Sequence, residues 1–278
     1  MNTLTIDYDD KNFKKKFVDS LHHTGFSVIN NHPIDQELIN QVYNDWNFFF
    51  NSEKKYDYVF DYEKQDGYFP FKSENANNSK KKDLKEFFHI YPTWGRYPEF
   101  ISKNTLELFN EITKLGNILL KALDEYSPDN IRKKYSEPLH KMSESSDQNL
   151  MRVIHYPPIK DSDHPEEIRA AAHTDINLIT LLISGSQPGL QVMDKEQNWI
   201  NIKSLKGQVV INTGDMLKEC SGGYYPSTIH RVINPNVKNN VSRFSIPLFF
   251  HPRPDVILSK KYTADSYLSK RLKEIGLK

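Results

Sequence analysis

The sequence predicts an α+β protein, mostly β with helices, in which a double-stranded β-helix (jelly roll) core carries a helical N-terminal region packed against it. Three observations point there. In three separate stretches between Lys11 and Tyr126 the apolar residues recur at helical spacing. Beyond about residue 149 the texture changes to short β-rich runs. Turn residues separate those runs at regular intervals, as in sandwiches and jelly rolls.

Lys11 to Thr24 sets Phe13, Phe17, Val18 and Leu21 on one helical face, with lysines opposite. Gly25 to Ile29 reads as a strand, ended by the turn Asn30-Asn31-His32-Pro33. A second amphipathic helix starts near Asp35 and presents Leu38, Ile39, Val42, Tyr43 and Trp46. Asn51 to Asp83 is rich in Lys, Asp and Asn and low in periodicity, so it reads as a long surface connection. A long helix over Lys103 to Tyr126 repeats Leu106, Phe109, Ile112, Leu119 and Leu123 along one stripe. Expected strands then cover Leu150–Tyr156, Leu178–Ile183, Leu190–Met193, Trp199–Ile202, Gln208–Ile211, Thr228–Ile233 and Arg243–Phe250. Thr263 to Leu277 returns to a helical pattern. The boundaries expected are a helical N-terminal region over 1–148, the jelly roll over 149–255 and a C-terminal helical extension over 256–278.

Composition narrows the functional classes. A net charge of +1, from 37 basic and 36 acidic residues, supplies no field for nucleic acid or an anionic membrane. The runs Lys14-Lys15-Lys16 and Lys80-Lys81-Lys82 are local and read as solvated faces. Cys220 is the single cysteine, which excludes an intramolecular disulfide framework and a cysteine-based zinc or iron–sulfur site. No signal-peptide core is visible at the start, and no stretch approaches the roughly 18 apolar residues needed to span a bilayer. A cytoplasmic enzyme is expected, acting as a monomer or weak homo-oligomer on a small-molecule substrate.

The chemistry concentrates in His173-Thr174-Asp175. In extended chain, positions i and i+2 share a face, so His173 and Asp175 can approach one ion together. His230, 230 − 173 = 57 residues on, follows several intervening strands and can supply a third ligand. Two imidazoles and a carboxylate on one face leave positions open, an arrangement suited to Fe(II) that must bind O2 and a chelating co-substrate. Mn, Co, Ni or Zn would also fit such mixed ligation. Arg243 and Ser245, beginning 243 − 230 = 13 residues later, share a strand face. A guanidinium with a neighbouring hydroxyl grips a carboxylate well.

These motifs, in this order, resemble the isopenicillin N synthase-like branch of the Fe(II)/2-oxoglutarate-dependent dioxygenases, over nearly the whole chain. Gly25-Phe26 through Asn31-His32-Pro33, His155-Tyr156-Pro157-Pro158 and Ala172-His173-Thr174-Asp175 look like family segments. So do Gly189-Leu190-Gln191-Val192, Asn212-Thr213-Gly214-Asp215, Ser227 through Val232 and Arg243-Phe244-Ser245. The resemblance implies that His173, Asp175 and His230 hold Fe(II). It also implies that Arg243, Ser245 and Tyr156 bind the distal carboxylate of 2-oxoglutarate. Many members have Asn-Tyr-Tyr-Pro where this chain has Ile154-His155-Tyr156-Pro157, so the polar contact from the Asn position is missing.

The expected activity is oxidation of a small molecule with Fe(II), 2-oxoglutarate and O2, with ascorbate as an activator. Arg152, Asn177, Tyr68 and Phe69 are candidates for the substrate side, each with a plain packing or salt-bridge role as its alternative. An iron oxidase of the same fold that does not use 2-oxoglutarate, and a non-catalytic jelly roll, are the competing readings.

Overall fold

Short polar runs break the apolar pattern of this chain into elements that a computed structural model describes over residues 5–74, 81–160, 163, 166–183, 185–202 and 207–274. Positions 75–80 of the expected connection and the end of the expected last helix lie outside these residues. Strand β1 (Thr5–Asp7) leads into helix α1 (Phe13–Thr24), which buries Phe13, Phe17, Val18 and Leu21 as its spacing requires. Gly25 ends that helix at φ +70°, a left-handed conformation that glycine adopts without strain. Strand β2 (Phe26–Asn30) and helix α2 (Gln36–Asn51) follow, the helix capped by Asp35, whose side chain accepts the Glu37 N–H.

Strands β3 (Gly67–Phe69) and β4 (Glu86–Ile90) correct the expected surface connection and add a strand just beyond it. Every residue of both strands is buried. Polar neighbours and short length hid β3. In Glu86-Phe87-Phe88-His89-Ile90 both faces are covered, so no alternation marks the strand. Helices α3 (Asn104–Tyr126), α4 (Asp129–Arg132) and α5 (Leu139–Ser143) complete the helical region. Next come β5 (Leu150–Tyr156), β6 (Ala170–His173), β7 (Ile179–Ile183), β8 (Leu190–Met193), β9 (Trp199–Asn201) and β10 (Val209–Thr213). Helix α6 (Asp215–Cys220), β11 (His230–Val232), β12 (Arg243–Phe250) and α7 (Ala264–Glu274) close the chain.

Two sheets result. The larger has the order β1-β2-β10-β7-β12-β5-β4-β3, the smaller β6-β11-β8-β9. All pairings are antiparallel except β1 with β2. Thus β1, β2, β3 and β4, from the N-terminal region, flank both sides of the large sheet. The outer face of that sheet, with Val153, Phe244, Ile246, Leu248 and Phe250, packs on helical residues such as Trp46, Phe49, Leu119 and Leu123. Each such side chain contributes about 1.5–3 kcal/mol when fully buried. Gly116 in α3 makes room for the Phe250 ring, which lies 2.0 Å from where a Cβ would stand. The inner face meets the small sheet in two clusters. Phe26, Val28 and Val210 pack with Leu190, Val192 and Ile202, while Phe69, Phe87, Ile154 and Tyr156 pack with Ala170 and Val232. The polar residues discussed next lie between the sheets. Among the described residues no helix is long and apolar enough to cross a membrane.

Candidate metal centre

His173 ends β6 and His230 begins β11, directly opposite it in the antiparallel register. Cross-strand partners point to the same side, so the two imidazoles stand together with ring centres 4.4 Å apart. Asp175 follows two residues after His173 and completes the group. His173 Nε2 lies 3.9 Å and His230 Nε2 3.7 Å from Asp175 Oδ1. One potential ligand atom from each residue lies within 4.8 Å of the others.

Hydrogen bonds orient all three. His173 Nδ1 lies 2.7 Å from the Ala171 carbonyl and His230 Nδ1 3.2 Å from the Thr228 carbonyl. A carbonyl only accepts, so each Nδ1 carries the proton and each Nε2 presents its lone pair. Asp175 Oδ2 accepts from the Thr180 hydroxyl at 2.6 Å and from the Asn212 amide at 2.7 Å, leaving Oδ1 for the histidines. Burial, then the neighbouring His230, pushes His173 down to about 4, although about a third of its side chain is exposed. It is neutral near pH 7 and free to donate its lone pair. Burial alone would raise the Asp175 carboxyl, but the two histidines and the bonds from Thr180 and Asn212 outweigh it and hold it below the usual range. The donor set therefore fits a divalent metal of the iron group.

The carboxylate-binding candidates come together on the inner face. Arg243 pairs with Tyr156 and Ser245 with Ile154 across β12 and β5. Arg243 is 2% exposed, donates Nε to the Gln187 carbonyl at 3.0 Å and sits 5.1 Å from the Tyr156 ring centre. Its Nη1 is buried with no partner. An orphaned guanidinium nitrogen in a buried site suits a carboxylate ligand. Tyr156 shares its cluster with Val232 and Ala170, close in sequence to the candidate ligands His230 and His173.

The four substrate-side candidates separate. Arg152 and Phe69 face the interior: Arg152 pairs with Glu74 at 3.2 Å and donates Nε to His89 Nε2 at 2.8 Å. Phe69 stacks between Phe60 and Phe87. Tyr68 does not face the interior. Strand alternation turns it to the helical side, where it donates to Glu86 at 2.5 Å and packs on Phe49 and Phe50. Asn177 is fully buried and donates to the Ile179 carbonyl at 2.6 Å and to Thr180 at 3.1 Å, so it supports Thr180.

Sequence reading gave no role to Thr180, Lys85, Glu74 or Asp83, assigned His89 to structure, and quoted Asn212 only within a family segment. Lys85 contacts Glu74 at 2.8 Å and Asp83 at 2.9 Å. Burial works against its charge, yet those two carboxylates hold it protonated beyond its ordinary range. Asp83 accepts the Ala171 N–H at 3.0 Å, which places this charged group beside β6, the strand that ends in His173. Only spatial adjacency joins these residues, so no spacing rule could have gathered them.

Two packed sheets with two histidines and a carboxylate on one face form the kind of site that holds a single non-haem metal ion. Residues 148–252 match the 2OG-Fe(II) oxygenase superfamily model, and residues 2–107 match the model described as non-haem dioxygenase in morphine synthesis N-terminal. The chain is similar to a Shewanella oneidensis protein assigned to the oxygenases, with 48% identity, TM-score 0.90 and 99% of each chain covered. It is 35% identical over 108 residues to a 2-oxoglutarate-Fe(II) type oxidoreductase of Aspergillus fumigatus. That match covers 38% of this chain and 31% of the fungal protein, so the aligned part spans under a third of the relative. Feruloyl CoA ortho-hydroxylase 2 of Arabidopsis thaliana is 26% identical, over 90% of this chain and 69% of that protein. The chain belongs to the 2OG-Fe(II) oxygenase superfamily.

Proposed function

We propose that the protein is a 2-oxoglutarate-dependent dioxygenase that oxidises a small molecule, most simply by hydroxylation. His173, Asp175 and His230 would hold Fe(II), and Arg243, Ser245 and Tyr156 the distal carboxylate of 2-oxoglutarate. Iron and 2-oxoglutarate supply the oxidising power: one O2 converts the 2-oxo acid to succinate and CO2 and leaves its second oxygen atom for the substrate. The protein's own part is to keep both Nε2 lone pairs directed, to keep Asp175 ionised, and to bind the co-substrate carboxylate away from water. The observation that carries this reading is Arg243, buried with Nη1 unpartnered beside Tyr156. Arg152 and Phe69 lie on the same inner face and are offered as the substrate side. Arg152 and Lys85 already have acidic partners there, so a polar substrate would meet a balanced cluster.

The test is succinate formation against 2-oxoglutarate concentration for wild type, Arg243→Ala and Arg243→Lys. A bond to a charged group contributes roughly 1.5–3 kcal/mol, so the alanine variant should raise the apparent KM for 2-oxoglutarate at least about tenfold. Lysine should recover only part of this, because an ammonium lacks the planar fork. Ser245→Ala should cost about 1 kcal/mol. Wild-type protein that consumes O2 with a substrate and makes no succinate would replace this reading with an iron oxidase independent of 2-oxoglutarate.

A further inference from the structure

We propose that Arg169, just before β6, is a second guanidinium for the distal carboxylate of 2-oxoglutarate, acting together with Arg243. The inference rests on the co-substrate reading above. Arg169 is 1% exposed, deeper than Arg243. Its Nη2 donates to the Val241 carbonyl at 2.6 Å, two residues before Arg243, and its Nε is buried with no partner. The Arg169 guanidinium carbon lies 6.0 Å from the Tyr156 ring centre, and that of Arg243 lies 5.1 Å from the same ring. The repulsion is felt: burial first, then the Arg243 charge, lowers Arg169 to about 10.

Compare Lys85, which with these two arginines makes up the buried lysines and arginines among the described residues. Lys85 has two carboxylates within 3 Å. Among the described residues Arg169 and Arg243 have none, although a buried positive charge is tolerated only when opposed or fully hydrogen-bonded. Two buried guanidiniums on one phenol ring, each with an unused nitrogen, match the two oxygens of one carboxylate. A structural arginine held by Val241 and the Tyr156 ring would need no second cation beside it. Arg169 is thus a binding residue for the end of the co-substrate remote from the metal.

The experiment measures binding of 2-oxoglutarate and of 2-oxobutyrate, which keeps the 2-oxo acid end but lacks the distal carboxylate. Calorimetry on Mn(II)-loaded protein reports both without turnover. Arg169→Met should weaken 2-oxoglutarate binding by about tenfold or more and change 2-oxobutyrate by less than about twofold. Arg169→Lys should lie between, and covers the case in which the methionine variant fails to fold. Unchanged 2-oxoglutarate affinity, or equal losses for the two acids, overturns the assignment. A wild-type protein that binds the two acids equally would instead remove the co-substrate reading itself. A wild type that prefers 2-oxoglutarate while both Arg169 variants keep that preference removes only Arg169.

Discussion

Thr180→Val tests whether the metal centre depends on residues that never touch the ion. Valine matches threonine in shape, so packing is retained and only the hydroxyl is lost. That hydroxyl donates to Asp175 Oδ2 at 2.6 Å and accepts from the Asn177 amide at 3.1 Å, so the valine also leaves one Asn177 N–H unpaired while the other keeps the Ile179 carbonyl. A hydrogen bond to a charged acceptor contributes roughly 1.5–3 kcal/mol, or about 10–100-fold in an equilibrium constant. The bond exists with or without metal, so its loss divides between the two states. Part appears as lower stability of the metal-free protein. The rest appears as weaker metal binding, because Asp175 no longer arrives with Oδ1 preset, and outer-shell losses of about 10–100-fold are typical. About tenfold weaker Mn(II) or Co(II) binding is expected, with about 1 kcal/mol lost from the metal-free fold. Chelator competition reads the first and urea unfolding the second, and Thr180→Ser should restore both. If Thr180→Val kept both within error of wild type, hydrogen bonding would not be what orients Asp175.

Replacing His173, Asp175 or His230 by alanine should abolish tight Fe(II) binding while far-UV circular dichroism stays that of the wild type, since the sheets rest on apolar packing; full occupancy in any one variant would remove that residue from the ligand set. Burial, then the Arg152 charge, holds His89 down at about 3, against an unfolded value of about 6.5. Below about pH 6.5 the unfolded chain therefore binds a proton that the native imidazole refuses, and stability falls as pH drops, by roughly 1.4 kcal/mol per pH unit. The urea midpoint of the metal-free protein should be lower at pH 5 than at pH 7.5, with a shallower slope in His89→Gln; an identical slope would show that His89 is not the source. Gly25→Ala should cost more than about 1 kcal/mol, because the backbone is left-handed and the new Cβ would stand 2.3 Å from Thr228 Oγ1. The Thr228 carbonyl holds His230, so metal affinity should fall with it, which the same chelator competition reads.

Much of this is legible in the sequence alone. The helical stripes survive in α1, α2 and α3, because one face of each is solvated and the other buried, and that contrast writes a period into the chain. His173 and Asp175 declared themselves by their separation of two. What stayed hidden was whatever has both faces covered or depends on distant partners. Glu86 to Ile90 lies between the helices and the second sheet, so its hydrophobicity has no rhythm. Tyr68, a substrate-side candidate with packing as its alternative, faces the helices, since neighbours in a strand face opposite ways and nothing local said which way was inward. Asn177 reads as a turn amide or a pocket residue until Thr180 and Asp175 are seen beside it. Arg169 is one more basic residue until its burial without an acid is known.

The order of strands in the large sheet bears on how the chain is made. Strand β2 is complete by residue 30, yet its partner β10 pairs Val209 with Ile29, 209 − 29 = 180 residues later. Strand β4 likewise waits for β5. During synthesis the early strands and the apolar faces of α1 to α3 leave the ribosome well before the surfaces that will cover them. Contacts of such long sequence separation form slowly and leave edges open to other chains. The region that holds the candidate ligands completes its sheet only with β1 to β4, which precede it in the chain. Cutting near residue 148 would therefore leave a fragment with β10 and β5 exposed as new edges, prone to association before it could bind a metal.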